Sequence, residues 1–450
     1  MTNTQPEPDS MPELTFQRYG NSALVLHSGG CLISLLLISW VYINSLPFNT
    51  LSYFLLSISV CSVIYGAIFL TLNKRLDRLI LAIFIWAIIF RCIGQFSGPF
   101  LEDDPYRYLW DAFVFTHHGT PFGILPSDYF SDNSLPENID NILDHVSYPD
   151  TPTIYGPFSQ WIFYLAYQIQ PGSLLSLKLI LLVFDVTCLY VLFRLLPGKW
   201  FLLFAWNPLL IKEFSFSVHH DIIAISLIVI ALYACKYKRY LLVAFCLGLA
   251  VACKLLAVVL VPFIMRFLGI KPLTVFAITV TAMYLPFILM GGETELKGLF
   301  AFLQGWEFNS SVYALIATWF GHAAASKISL ILIGLGLLIV YRITIKNPAD
   351  YEANANTPRG DWAIGVVLLF SSVVNPWYVC WLLPFAVFYS HTWPWIATLV
   401  MPLSYVVGLN IDGSNLPAYN HPAWVRPVIY TSILLAICFD IFKHHKSAKP

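Results

Sequence analysis

Apolar runs such as LILLVFDVTCLYVLF (residues 179–193) recur along nearly the whole chain, and they settle its class before any motif is read. Strands of an outer-membrane barrel would alternate polar and apolar residues over segments of about 10; these runs do not alternate. Of the 450 residues, 58% are hydrophobic and only 11% charged, whereas soluble domains carry about 25% charged residues. Uninterrupted apolar segments persist in lipid as helices, which satisfy their own backbone. The expected fold is all-α and polytopic: one integral-membrane domain over residues 1–450, with about 11–14 transmembrane helices, several of them short.

Net charge is zero, so sidedness must come from where the charges lie. Basic residues collect in NKRLDR (73–78), RLLPGK (194–199) and CKYKR (235–239). More follow at Arg266 with Lys271, Arg342 with Lys346, and the tail KHHKSAK. The positive-inside rule assigns these to the cytoplasm. Residues 1–22 then form a cytoplasmic tail, and segments near 23–44, 51–72 and 79–97 carry the chain to an extracytoplasmic loop at 98–157. That loop holds ten acidic residues, and Arg107 is its only Lys or Arg. FSQWIFYLAYQIQ (158–170) is short for the roughly 20 residues a span needs, and a crossing there would put CKYKR outside. It reads as an interfacial or re-entrant helix. The same count brings SFSVHHD (215–221), Lys254, GWEFNSSVY (305–313) and NPWY (375–378) to the outer face beside the acidic loop.

Several function classes lose support. The nine cysteines show no metal-ligand or disulfide spacing and read as small buried residues. No basic start followed by an apolar core precedes residue 22, so a cleavable signal peptide is not expected. No GxxxxGK loop is present, and the hydrophilic segment 347–361 reads as a plain linker. There is no obvious internal repeat, which weakens an inverted-repeat transporter.

The stretch FLEDDPYRYLWDAFVF (100–115) is the strongest candidate for chemistry. Pro105 favours the first position of a helix, which predicts Asp104 as the N-cap, a helix through His118, and a stop at GTP (119–121). Asp103, Arg107 and Asp111 would share one helix face. With the cap assigned to Asp104, Asp103 becomes the better general base and Asp104 the alternate, the plainer reading of Asp103 being a solvated acid or a partner for Arg107. Arg107 would orient the base or grip a phosphate through its planar fork. Asp111 is more simply Arg107's partner, and Glu102 receives no task.

Lys254 sits at an outer helix end; so deep an ionisable group suggests function, although lysine also snorkels to headgroups. Adjacent histidines on a helix point about 100° apart. His219, His220 and Asp221 therefore suggest a polar helix start, with one histidine reaching a phosphate, more than a metal site. Lys212 and Glu213 read as a simple pair. Asp185 is expected to pair with Lys178, and Trp206, Trp381, Trp393 and Trp395 to anchor at the membrane interface.

EDDPYRYLWDAFVFTHHGTPF resembles the first large outer loop of bacterial GT-C glycosyltransferases that use polyprenyl-phosphate sugars. Their pattern is an acidic pair, Tyr-Arg-Tyr-x-Trp-Asp, then Gly and Pro. The similarity continues in TIYGPFSQWIF, where Gly156 replaces the first proline of a usual Tyr-Pro-Pro, and in WNPLLIKEFSFSVHHD, CKLLAVVLVP and NPWYVCWLLP. Ala112 stands where many relatives have Gly. The resemblance spans residues 101–384 and implies a GT-C-like fold and an inverting hexosyltransferase of the mannosyltransferase kind. It would draw on a polyprenyl-phosphate donor and serve an extracytoplasmic glycan or lipid acceptor. It further implies an outer-loop aspartate as base and a bacterial inner membrane as the location. No cofactor is expected besides the donor; no metal ligand is assigned, and a divalent ion stays open.

The residues agree with that chemistry on their own terms. Asp103 or Asp104 supplies the base, and Arg107, Lys254 and His219 or His220 would steady the leaving phosphate. Tyr106, Trp110, Tyr155 and Trp377 would line the sugar, with Asp111, Asp221 and Tyr378 completing the substrate-binding set. The alternatives are a flippase of a lipid-linked sugar, which would place titratable groups inside several helices, and a glycan polymerase or ligase, which would carry its large outer loop late in the chain.

Overall fold

A computed structural model describes residues 11–43, 49–72, 76–266, 268–291, 293–346, 359–389, 391–411 and 413–447. The first ten residues of the expected tail, and most of the linker 347–361, lie outside the described residues. Regular structure among those described is helical, apart from an isolated bridge between Phe308 and Val373.

α1 (Met11–Val41) starts inside the stretch expected as a tail. It packs on α2 (Thr50–Leu72) and α3 (Ile80–Gly94). The long loop then carries α4 (Asp104–His118) and α5 (Glu137–Asp144), and 158–170 folds almost wholly into α6 (Pro157–Ile169). Next come α7 (Leu174–Leu195), α8 (Gly198–Ala205), α9 (Pro208–Ile211), α10 (Asp221–Lys236), α11 (Tyr240–Cys253) and α12 (Val261–Met265). The remainder is α13 (Ile270–Gly291), α14 (Glu295–Gly305), α15 (Val312–Phe320), α16 (His322–Lys346), α17 (Gly360–Phe370), α18 (Leu383–Tyr389), α19 (Trp393–Val400) and α20 (Val425–Ser447).

Among the described residues, six helices (α1, α2, α7, α13, α16 and α20) are long and apolar enough to cross a membrane. The other apolar runs break into shorter pieces, including Tyr240–Cys253, Leu255–Met265, Gly360–Phe370 and Pro376–Tyr389. Proline and polar residues (Lys254, Pro262, Pro376, Pro384) interrupt them, because proline cannot continue the i→i−4 ladder. α13 and α16 bury only 11% of their apolar windows inside the protein, a surface suited to a lipid solvent. α10 is the reverse, buried almost end to end between α7 and α11. It is the post that presents residues 219–221 at its head.

Two pairings differ from expectation. Asp185 accepts from Arg91 Nε at 2.9 Å across the α3–α7 contact, while Lys178 gives its ammonium to the carbonyls of Gly94 and Ser97, each at 2.7 Å. Lysine caps the end of α3 and arginine takes the buried acid, because spacing along α7 says nothing about which neighbouring helix each face meets. The four tryptophans are interior, with Trp206 and Trp381 almost fully buried. The indole N–H groups of these two are used there: Trp206 donates to Ile83 O at 2.9 Å and Trp381 to Asp221 Oδ1 at 2.7 Å.

Candidate active site

α4 begins one residue earlier than expected. Asp104 is its first residue, Asp103 holds the N-cap position without a side-chain capping bond, and Gly119 ends the helix in the left-handed region at φ 75°. Asp104 is therefore not the cap. Asp103 instead accepts a hydrogen bond from Ser147 Oγ, while Arg107 pairs with Asp111. Burial pushes the Asp103 carboxyl above its ordinary range, the Ser147 bond opposing the shift only in part.

Asn207 accepts from the backbone N–H of Leu209 and Leu210 at 3.1 and 3.2 Å, and Pro208 follows at the first position of α9. The helix then widens into a π-helical turn, Lys212–Phe216, a feature frequent at functional sites. Its extra residue lets both Lys212 and Glu213 point inward, fully buried. Val218 follows at φ 65°, costly for a β-branched side chain. Leu101 (φ 57°) and Tyr148 (φ 55°) are further non-glycine residues with positive φ beside the acids. Backbone strain gathered in this way is characteristic of sites that hold a constellation in place.

His219, which follows Val218, is fully buried between two carboxylates. Its Nδ1 lies 3.5 Å from Asp104 Oδ2 and its Nε2 3.3 Å from Glu213 Oε2. Burial works against its charge, but the two acids prevail and push its pKa up to about 9. For Asp104 burial alone would raise the carboxyl, and His219 reverses that, so its net shift is downward. Trp377 stacks on the His219 ring, centroids 3.6 Å apart at 21°.

His220 lies differently. It is buried among Tyr108, Tyr155 and Phe163, with Nδ1 3.1 Å from the Tyr108 hydroxyl. Burial pushes its pKa down to about 3, so it is neutral there, and Tyr155 belongs to its cage. Tyr108 in turn donates to Asp104 Oδ2 at 3.2 Å. Asp221 receives Lys254 Nζ at 2.6 and 2.8 Å, and Lys254 also lies over the Tyr378 ring at 4.5 Å. Asp104, His219, Trp377, Asp221, Lys254 and Tyr378 thus form one continuous cluster, drawn from four sequence segments.

Other predicted residues are used by the protein itself. Arg107 donates to Asp111 Oδ1 at 2.9 Å and to Thr151 O at 3.0 Å, and Asp111 also accepts from Gln160 Nε2 at 2.9 Å. They lash α4 to the loop before α6. Trp110 is buried against Phe113 and Tyr129, on a different face of α4 from Asp104. Tyr106 stacks on His145, centroids 4.7 Å apart.

Sequence reasoning missed a polar knot beneath Asp104. The Tyr405 hydroxyl lies 2.8 Å from Glu102 Oε1 and 3.0 Å from Glu213 Oε1, and Lys212 reaches both Tyr405 and Glu213. Burial pushes the Glu102 pKa up to about 8 despite the cations nearby. Glu102, Glu213 and His219 bring ligand atoms within 4.8 Å of one another and could hold a divalent ion. Lys212 already supplies a cation to that knot, at 3.3 Å from Glu213 Oε2. The advance signals were Glu102, which had no assigned task, and the expected Lys212–Glu213 pair, which does form.

Gly156, which replaces a proline in the resemblance, is explained by space. A Cβ there would lie 2.3 Å from Ala252 O and 3.0 Å from Cys253 O, at the end of α11 that presents Lys254. Gly156→Ala is expected to cost about 1–3 kcal/mol through overpacking, read as a lowered thermal midpoint in detergent; an unchanged midpoint would contradict this packing.

No curated protein matches the chain. A family profile does, over residues 14–269, described as alpha-(1->6)-mannopyranosyltransferase, N-terminal domain. That match covers more than half of the 450 residues and includes the acids, the histidines and Lys254. The chain is a glycosyltransferase with membrane-length apolar helices, and it belongs to the alpha-(1->6)-mannopyranosyltransferase family.

Proposed function

We propose that the protein transfers mannose from a polyprenyl-phosphate donor to an extracytoplasmic glycan or lipid acceptor, with inversion at the anomeric carbon. One observation carries this reading: the Asp104 carboxylate at the head of α4 lies 3.5 Å from His219, and the same cluster takes in Lys254, bonded to Asp221, from a separate segment. The Lys254 side chain keeps 20% of its surface open and Asp104 29%, so ligand can reach both. The outward placement rests on the acidic loop and the basic connectors opposite.

In the proposed step Asp103 takes the proton of the acceptor hydroxyl as that oxygen bonds the anomeric carbon. The bond from that carbon to the phosphate oxygen breaks, and the phosphate leaves on its lipid with the electron pair. Lys254 meets the charge arriving there directly, and His219, buried between Asp104 and Glu213, acts on it only through Asp104. A single displacement giving an α-mannoside requires a β-linked donor. Tyr378 and Trp377 border the sugar, Trp377 mainly by holding the His219 ring in place.

Proteoliposomes supplied with labelled polyprenyl-phosphate mannose and a mannan acceptor test the reading. Label is expected in the acceptor through a new α-linkage. Label that crosses the bilayer while remaining on its lipid would overturn it in favour of a flippase.

A further inference from the structure

Beside the acid pair lies a group of rings that the displacement step does not use. Tyr148 follows α5 and is 39% exposed; Tyr419, from the loop between α19 and α20, is 43% exposed. Half-buried Trp306 follows α14. The Tyr148 and Trp306 centroids are 4.0 Å apart at 45°, those of Tyr148 and Tyr419 5.9 Å apart at 34°. Phe302 backs Trp306 edge-on, at 4.6 Å and 81°.

Two features separate this group from ordinary packing. Tyr148 holds its left-handed backbone at φ 55° although it is not glycine, a cost that is tolerated where position matters. Its neighbour Ser147 donates to the Asp103 carboxylate, so a single turn positions both the ring and the proposed base. A polar rim adjoins the rings: Glu307, next to Trp306, accepts from Ser310 Oγ and Arg426 Nη1, each at 2.8 Å, and Arg426 keeps 31% of its side chain open.

We propose that Tyr148, Trp306 and Tyr419 form an acceptor subsite, an open aromatic shelf on which a pyranose ring of a mannan chain rests while its neighbour presents a hydroxyl to Asp103. A pyranose has an apolar C–H face and a hydroxyl edge. Aromatic faces carry negative charge density that attracts the polarised C–H groups, and a few polar groups at the rim fix orientation. The proposal rests on the glycan-acceptor reading above and locates it. Donor and acceptor then approach from different sides of the acids: the donor phosphate from Lys254, the acceptor from Tyr148.

The test uses the full chain in nanodiscs, with short α-(1→6)-linked mannooligosaccharides as probe. Tyr419→Ala and Trp306→Ala are compared with Tyr419→Phe. Each ring removed is expected to raise the acceptor KM about three- to tenfold, with kcat and donor KM held within about twofold, the pattern of lost uniform binding. Tyr419→Phe should behave as wild type. An acceptor KM unchanged in Tyr419→Ala, which sits on an exposed loop and keeps the fold, would overturn the shelf, as would donor and acceptor KM rising together. Saturation-transfer NMR with oligosaccharide alone needs no donor: weaker signals in the ring variants are expected, and equal signals would overturn the proposal. Failure of the wild type to transfer mannose from the lipid donor would instead remove the donor reading.

Discussion

Asp103→Asn is expected to lower mannosyl transfer by about 10²- to 10⁴-fold, the range a positioned general base contributes, while protein yield and donor binding stay near wild type. Asparagine is nearly isosteric and its carbonyl can still accept from Ser147, so the turn beneath it should persist. Only the capacity to take a proton is lost. The readout is the initial rate at saturating donor, with donor affinity measured separately. Full transfer by the variant would sink the base assignment and shift it to Asp104, which lies nearer the cations but whose charge His219 already holds.

Lys254→Met is expected to act twice, and the two effects separate. Asp221 is almost wholly buried and relies on Lys254 for its counter-charge. Leaving such an acid alone typically costs about 3–5 kcal/mol, read as a large drop in the unfolding midpoint. Asp221→Asn on the same chain removes the stranded charge, and the amide can still accept from Trp381. The double variant should regain most of the stability. It should not regain activity: a missing electrostatic donor at the departing phosphate is worth about 10²- to 10³-fold in kcat. Recovery of both together would make Lys254 a structural partner alone.

Much of this was legible in the sequence. The uninterrupted apolar runs gave an all-helical chain, the Asp-Pro pair located the start of α4 to within one residue, and Gly119 marked its end. Charge counting brought the His-His-Asp segment, Lys254 and the Asn-Pro-Trp-Tyr segment to the acids, and Asp104, His219, Trp377 and Lys254 do cluster. The one-residue error in helix start mattered, because it exchanged the places of Asp103 and Asp104. What stayed hidden were contacts between elements remote in sequence. Tyr405 meets Glu102 across 303 positions, and Asp185 finds Arg91 across 94. Helical periodicity tells which residues share a face but not which helix that face meets. The buried tryptophans were misplaced for the same reason, since an indole ring reads alike in sequence at an interface and in a core.

The Tyr405 knot has a consequence for how such an enzyme can change over time. The recognised family region ends at residue 269, yet Trp377, Trp381 and Tyr405, which brace His219, Asp221 and Glu213, all come after it. The proposed base and phosphate-binding groups lie within that region, and residues beyond it brace the cluster. Drift in the second half is therefore not free: a substitution at Tyr405 is felt at Glu102 and Glu213 at once, and has to be answered there.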